Sequence, residues 1–406
     1  MSFANSPKEV KLYTPENDVS EPELSIVVPA MNESLTIGEF VTWCHEGIAK
    51  AGVRAEILIV DSSSDATPEI ALAKGARVLR TPKRGLGRAY IDAVPFIRGK
   101  YVVMGDADLT YDFRELTEFM AKFRQGSEYI MGSRFRGSIE DNAMPPLHRY
   151  FGTPVTTWIL NIIYSSKFTD IHCGMRGITL EALKRIHLES QSWEYASEMV
   201  LKAVKYELRI AEVPIHFYKD REGRLSHMKR SRWYEPWRAG WINLRAMFLF
   251  APDFFLMTPG LVSTGAGLLL VGAVAAHLAP WLSLHWMLLG MTLTVGGYSA
   301  VQMAVLTRAF YNFIPTKVAR YSQTITYDRG IMAAAVVALG GLAILVQFAY
   351  HYFLDHMTLS AVSQTAIIGL YLLLLSFQTF TFTLMFQMIV RRNTARAEEA
   401  KMVAGQ

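Results

Sequence analysis

Between Phe254 and Thr307 the chain carries no Asp, Glu, Lys or Arg. A charge-free run of 54 residues is long enough for two membrane crossings of about 20 residues each and a turn between them. The turn is expected at His277 to His285, where Pro280 and Trp281 interrupt the apolar pattern. A second apolar block, Gly330 to Val390, is broken near His351 to His356 by Asp355 and two histidines. The pattern therefore predicts four membrane helices, at roughly 254–276, 284–306, 331–350 and 360–390.

The charges are correspondingly segregated. Of 41 Lys and Arg and 36 Asp and Glu, only seven lie between Pro252 and Val390. A polar front and a membrane rear exclude a purely soluble enzyme, a disordered chain and a secreted disulfide scaffold. The net charge of +5 is too mild to signal a nucleic-acid partner. Cys44 and Cys173 lie in no metal-binding or disulfide pattern. Residues 1–22 are polar, contain Pro, and read as a mobile arm.

Lys and Arg are absent from the turns near 280 and 354. They are present between the second and third helices (Arg308, Lys317, Arg320, Arg329) and after Val390 (Arg391, Arg392, Arg396, Lys401). Positive loops stay cytoplasmic, which predicts a cytoplasmic front part, cytoplasmic termini and a location in a cell membrane, such as a bacterial inner membrane. Before the first span, residues 231–252 place Trp233, Trp237 and Trp241 among Arg238 and Arg245, a pattern for an interfacial helix.

In residues 23–230 short apolar runs alternate with amphipathic segments. LSIVV (24–28), EILIV (56–60), ARVL (76–79), KYVVM (100–104) and EYIMG (128–132) read as strands. The β-α-β order predicts an α/β domain with a mainly parallel sheet and a ligand at its C-terminal strand ends. Polar residues gather at those ends: Asn32-Glu33 after the first strand, Asp61 to Asp65 after the second, and Asp106-Ala107-Asp108 after the fourth. Alternate carboxylates at 106 and 108 can hold one divalent ion, Mg²⁺ or Mn²⁺, whose shell is completed by substrate phosphates. A nucleotide diphosphate is the natural partner. The turn Lys83-Arg84-Gly85-Leu86-Gly87-Arg88 offers cations and backbone amides to phosphate.

The strings VVPAMNE, VDSSSD, KRGLGRA, GDADLT, GSRF, DIHCGMRG and EVPIHFYKDREGR resemble glycosyltransferase family 2 enzymes of the GT-A fold, in particular the polyprenyl- and dolichyl-phosphate sugar synthases. The resemblance covers about residues 22–230. It implies that Pro29, Asn32, Glu33 and Asp61 hold the base and ribose, and that Asp106 and Asp108 hold the metal-bound pyrophosphate. It further implies that Arg134 meets an acceptor phosphate and that Arg221 clamps the donor phosphates. Ser62, Thr110 and His227 depart from the family pattern, which leaves the base open.

The expected architecture is a GT-A domain (23–230), an interfacial helix (231–252), a four-helix membrane domain (253–390) and a cytoplasmic tail (391–406). The expected activity is inverting, metal-dependent transfer of a hexose from a nucleotide-diphosphate sugar, of the UDP-glucose or GDP-mannose class, to polyprenyl phosphate. Asp108, Arg134 and Asp170 are the candidate catalytic residues, with Glu198 a second base candidate. Lys83 and Arg84 would neutralise the leaving group, and Arg136 would assist Arg134 at the acceptor. Transfer to another membrane lipid, or a non-catalytic binding module, are the competing readings. Homo-oligomerisation is left open.

Overall fold

The chain divides into two compact units, Met1–Phe250 and Ala251–Gln406. The computed structural model describes residues 9–164, 166–221, 253–278, 281–311, 315–354 and 364–404. The expected interfacial helix at 231–252, and His227, lie outside the described residues.

The first unit is built on one eight-stranded sheet, with strand order β1-β4-β3-β2-β5-β7-β6-β8. Its strands are β1 (Lys11–Tyr13), β2 (Leu24–Ala30), β3 (Ala55–Asp61), β4 (Arg77–Arg80), β5 (Tyr101–Met104), β6 (Tyr129–Ile139), β7 (Arg176–Thr179) and β8 (Ile210–Phe217). β4, β3, β2 and β5 run parallel. Leu24, Ile26, Val27 and Val28 of β2 are wholly buried, as a strand covered on both faces demands. Helix α1 (Ile37–Ala51) buries Ile37, Phe40, Val41 and Cys44. Helix α4 (Leu116–Arg124) buries Leu116, Phe119, Met120 and Phe123. Both faces follow the 3.6-residue period. α2 (Thr67–Ala73) and α3 (Leu86–Ala93) complete the parallel half.

The other half is mixed. β7 lies antiparallel between β5 and β6, and β6 pairs parallel with β8 across an irregularity between Ser133 and Ser138. Helix α5 (Thr153–Tyr164) follows β6, while α6 (Leu180–Ile186) and α7 (Tyr195–Lys205) follow β7.

The expectation of a mobile arm over 1–22 is corrected for its second half. Lys11–Tyr13 pairs antiparallel with β4. Arg98 then donates to both carboxylate oxygens of Asp18, at 2.8 and 2.7 Å. Arg98 also reaches the buried Glu56 at 2.7 Å, which Arg77 contacts at 2.5 Å. This charge cluster anchors the segment to the sheet.

Among its described residues the second unit contains four helices long and apolar enough to cross a membrane: Phe255–Ala275, Leu284–Tyr311, Tyr327–Leu354 and Gln364–Ala395. The fourth helix continues to Ala404, so most of the expected tail is its extension. The basic middle loop holds a further short helix, Pro315–Thr324. Without a hydrophobic force between helices in lipid, close packing depends on small residues and polar contacts. A Cβ on Gly267 would lie 2.4 Å from the Gly290 carbonyl, and one on Gly341 would lie 2.9 Å from the Gly369 carbonyl. The second and fourth helices share a hydrogen bond between Tyr298 Oη and Thr379 Oγ1 at 2.9 Å, and Gln378 donates to Ser299 Oγ at 2.8 Å.

Candidate active site

β3, β2 and β5 are neighbours in the sheet, so the turns after them share one rim. Chain order reverses between β2 and β5, and that is where open α/β sheets form a ligand crevice. The first two turns are stitched together. The Asn32 amide donates to Ser63 Oγ at 2.7 Å, and the Ser64 amide donates back to Asn32 Oδ1 at 2.9 Å. Asn32 adopts φ +54°, a left-handed conformation that Asn tolerates, and remains exposed. The Glu33 amide donates to Thr67 Oγ1 at 2.9 Å. Burial pushes the Asp65 carboxyl up, but hydrogen bonds from Thr67 and Ser34 outweigh it and hold that group below its ordinary value.

Asp61 and Glu33 are buried. Asp61 is ion-paired with Arg80 and accepts the Ser63 hydroxyl at 2.5 Å. Burial raises its carboxyl above the ordinary range, opposed by Ser63 and Arg80. Asp61, expected at the base or ribose, lies wholly buried. It supports the turn from below, whereas Asn32 and Ser64 are exposed and Pro29 is half-buried at the end of β2.

After β5, Asp106 and Asp108 are both half-buried while the intervening Ala107 is 3% exposed, the alternation expected of two carboxylates on one side. Asp108 Oδ1 accepts the Thr110 amide at 3.1 Å and its hydroxyl at 2.6 Å, a turn that places Leu109 at φ +64°. Across from Asp106 stands Gly174. A Cβ there would lie 2.8 Å from Asp106 Oδ2 and 2.9 Å from the Tyr111 ring. The Gly174 amide donates to Tyr111 Oη at 2.8 Å. Among the described residues no three His, Cys, Asp or Glu gather as a metal site. Two carboxylates beside a space that only glycine leaves open fit a divalent ion that takes most of its ligands from substrate.

The basic turn differs from the expected open cradle. A Cβ on Gly85 would come within 2.2 Å of the Gln191 carbonyl, and one on Gly87 within 2.2 Å of the Ser190 carbonyl. Both glycines thus serve backbone packing against 190–192, and Gly85 also needs its φ of +112°. Arg84 and Arg88 converge on Asp92 at 2.6 and 2.8 Å. Lys83 is exposed.

Arg134 and Asp170 are given to each other. Arg134 donates from Nε at 2.7 Å, Nη2 at 2.9 Å and its amide at 3.1 Å, and both side chains are buried. The pair fits a brace between β6 and the 169–174 loop better than an open phosphate site or a proton-accepting base. Arg136 is half-exposed, 3.5 Å from Glu212. Arg221 is exposed and ion-paired with Glu39 of α1. Glu198 is fully buried, takes the Glu189 and Ser190 amides at 2.9 and 2.8 Å, and pairs with Lys202 at 2.5 Å. It holds the 189–190 segment and is not placed as a base. Burial, reinforced by the nearby Asp170, pushes the Cys173 thiol up to about 12, so it is inert at neutral pH.

Two contributors escape a reading of the sequence. Tyr111 packs on Phe217 at 5.2 Å, and Phe217 lies under Arg134 at 5.2 Å, which links the Asp106 side to the Arg134 brace. Arg176, 1% exposed, donates to the carbonyls of Cys173 at 2.8 Å, Ala196 at 2.6 Å and Ile171 at 3.4 Å and so fixes the loop that presents Gly174. The signal in the sequence is the arginine of CGMRG.

The glycosyl transferase family 2 model matches residues 25–186. The low-salt glycan biosynthesis hexosyltransferase Agl6 of Haloferax volcanii is 33% identical over 348 residues, which is 82% of this chain and 80% of that protein. A dolichyl-phosphate hexose transferase of the same organism is 31% identical over 201 residues, covering 50% of this chain and 85% of its own length. The crystal structure of mannosyl-3-phosphoglycerate synthase from Rubrobacter xylanophilus aligns with 55% of this chain and 72% of its own, at 20% identity and a TM-score of 0.43.

Proposed function

The chain belongs to glycosyl transferase family 2, with a GT-A-like catalytic domain, and on that premise we propose that it transfers a hexose from a nucleotide-diphosphate sugar to polyprenyl phosphate. The carrying observation is the half-buried Asp106/Asp108 pair where the strand order reverses between β2 and β5, in a chain whose described residues include four helices long and apolar enough to cross a membrane. The similarity to a dolichyl-phosphate hexose transferase supports the acceptor class. The basic segments around Arg320 and Arg391 support a cytoplasmic catalytic domain.

In this reading Pro29, Asn32 and Ser64 line the nucleoside end. Asp106 and Asp108 would hold Mg²⁺ or Mn²⁺, which when bound neutralises charge on the departing nucleotide diphosphate. Lys83 and Arg221, both exposed, add positive charge on the donor side. Arg136 receives the acceptor phosphate, because the forked donors of Arg134 are engaged by Asp170. A phosphate monoester has a second pKa of about 6 and is a competent nucleophile near neutrality. No strong base is then required, which agrees with the buried, paired states of Asp170 and Glu198. Attack from the face opposite the leaving group inverts the anomeric centre.

A donor screen tests this reading. Purified protein is incubated with polyprenyl phosphate, Mg²⁺ or Mn²⁺, and each labelled UDP- or GDP-hexose in turn. Label entering the lipid phase from one donor is the expected result, and label in none refutes it.

A further inference from the structure

Among the described residues the buried Arg and Lys side chains are Arg77, Arg80, Arg134, Arg176 and Lys202. Arg77, Arg80, Arg134 and Lys202 are each ion-paired, to Glu56, Asp61, Asp170 and Glu198. Arg176 differs from them. Its guanidinium holds the carbonyls of Cys173, Ala196 and Ile171 and has no carboxylate partner among the described residues. Carbonyl dipoles satisfy its N–H groups but leave a net positive charge inside the domain, which is costly unless an anion lies within range.

The position of Arg176 identifies that anion. Arg176 is the register partner of Met104 on β5, and the chain leaves β5 through Gly105 to Asp106. Tyr90 Oη donates to the Gly105 carbonyl at 3.0 Å, and the Tyr90 ring packs on Tyr195 at 4.9 Å, next to the Ala196 carbonyl that Arg176 holds. Gly174, in the loop that Arg176 fixes, faces Asp106 Oδ2. Burial pushes the Tyr195 phenol up to about 12; Arg176 opposes that rise and Asp106 adds to it, so both charges act on one hydroxyl.

We propose that Arg176 is the standing counter-charge of Asp106 and sets what the Asp106/Asp108 pair binds: it disfavours a bare divalent ion and favours one that arrives on a nucleotide diphosphate. A free Mg²⁺ or Mn²⁺ adds positive charge close to a buried cation. A nucleoside diphosphate carries about three negative charges near neutrality, so its complex with the ion is net negative and is attracted. Groups behind a ligand tune a metal site in this way without touching the ion. Arg176 thus acts through Asp106, as a positioning residue. The inference rests on the reading of Asp106 and Asp108 as metal ligands.

Two binding measurements on the full-length protein in detergent provide the test. Bare Mn²⁺ is titrated and the unbound ion read by electron paramagnetic resonance; labelled UDP and GDP are followed by equilibrium dialysis, in Mn²⁺ and in EDTA. Arg176→Gln and Arg176→Met remove the charge, and Gln keeps a donor for the carbonyls. Both should bind bare Mn²⁺ about tenfold tighter or more than the parent, because an interior charge acts strongly on a divalent ion. Both should bind the nucleotide in Mn²⁺ several-fold more weakly. A merely structural arginine cannot give that opposition, since loosening the loop weakens both. Arg176→Lys keeps the charge and should stay near the parent in bare Mn²⁺ binding. Neutral variants that bind bare Mn²⁺ no more tightly, in a protein whose nucleotide binding needs Mn²⁺, overturn the proposal. So does tightening in Arg176→Lys, which decides the matter if the neutral variants do not fold. A parent that binds both nucleotides equally in Mn²⁺ and in EDTA overturns the metal reading itself, and this inference with it.

Discussion

Arg134 and Asp170 meet as a guanidinium fork on a carboxylate, with Nε–Oδ2 at 2.7 Å and Nη2–Oδ1 at 2.9 Å, and the carboxylate side chain is 0% exposed. Breaking such a pair leaves one charge buried and unpaired, which costs about 3–5 kcal/mol, whereas replacing both partners costs far less. Asp170→Asn should therefore unfold at a distinctly lower temperature in detergent, and Arg134→Met/Asp170→Asn should recover part of the loss. Additive effects would refute the brace. Arg134→Lys, which cannot fork, should weaken donor binding and transfer together; loss of lipid-dependent transfer alone would return Arg134 to the acceptor phosphate.

At the opposite end of the sheet, hydrogen bonds from Arg98 hold the Asp18 carboxyl below its ordinary 3.8. A depressed carboxylate pKa contributes stability above the unfolded value, and that contribution is lost as pH falls through the folded one. Asp18→Asn should cost about 1 kcal/mol at pH 7, and the difference from the parent protein should close as the pH is taken below 3.8. Thermal unfolding at several pH values measures it, and a gap independent of pH would mean that the ion pair contributes nothing.

Gly174→Ala would put a methyl group 2.8 Å from Asp106 Oδ2. Overpacking of this kind typically costs 1–3 kcal/mol, here expressed at the proposed metal and donor site. Transfer should fall about tenfold or more with the protein still folded, since 1.4 kcal/mol is a factor of ten in rate, and the Mn²⁺ requirement should rise. Asp108→Ala should abolish transfer, and so should chelation. Full turnover in excess EDTA would remove the metal from the reading.

A cysteine at Ser322, in the basic segment between the second and third membrane helices, should react with an impermeant reagent only after the cells are opened. Labelling from outside intact cells would invert the topology.

What the sequence made legible follows the range of the interactions involved. The buried runs of β2, β3 and β5, the faces of α1 and α4, and the four apolar helices are local patterns of hydrophobicity, and they lie where periodicity placed them. β1 is three residues long and exists because β4 and the Asp18–Arg98 pair hold it, the latter a contact made across 80 residues. The acidic turns were visible as a group because three strands end in them. The fates of Arg134 and Asp61 were not, since each depends on a partner, Asp170 or Arg80, brought close only by the sheet.

The most direct test of the account is a comparison of acceptors. Purified protein is given one labelled nucleotide sugar and, in parallel, polyprenyl phosphate, the corresponding polyprenol and a diacylglycerol at equal concentration. The account predicts label in the lipid phase with polyprenyl phosphate alone, because the site presents cations for a phosphate and keeps its candidate bases buried and paired. Equal or greater transfer to polyprenol or diacylglycerol would contradict it.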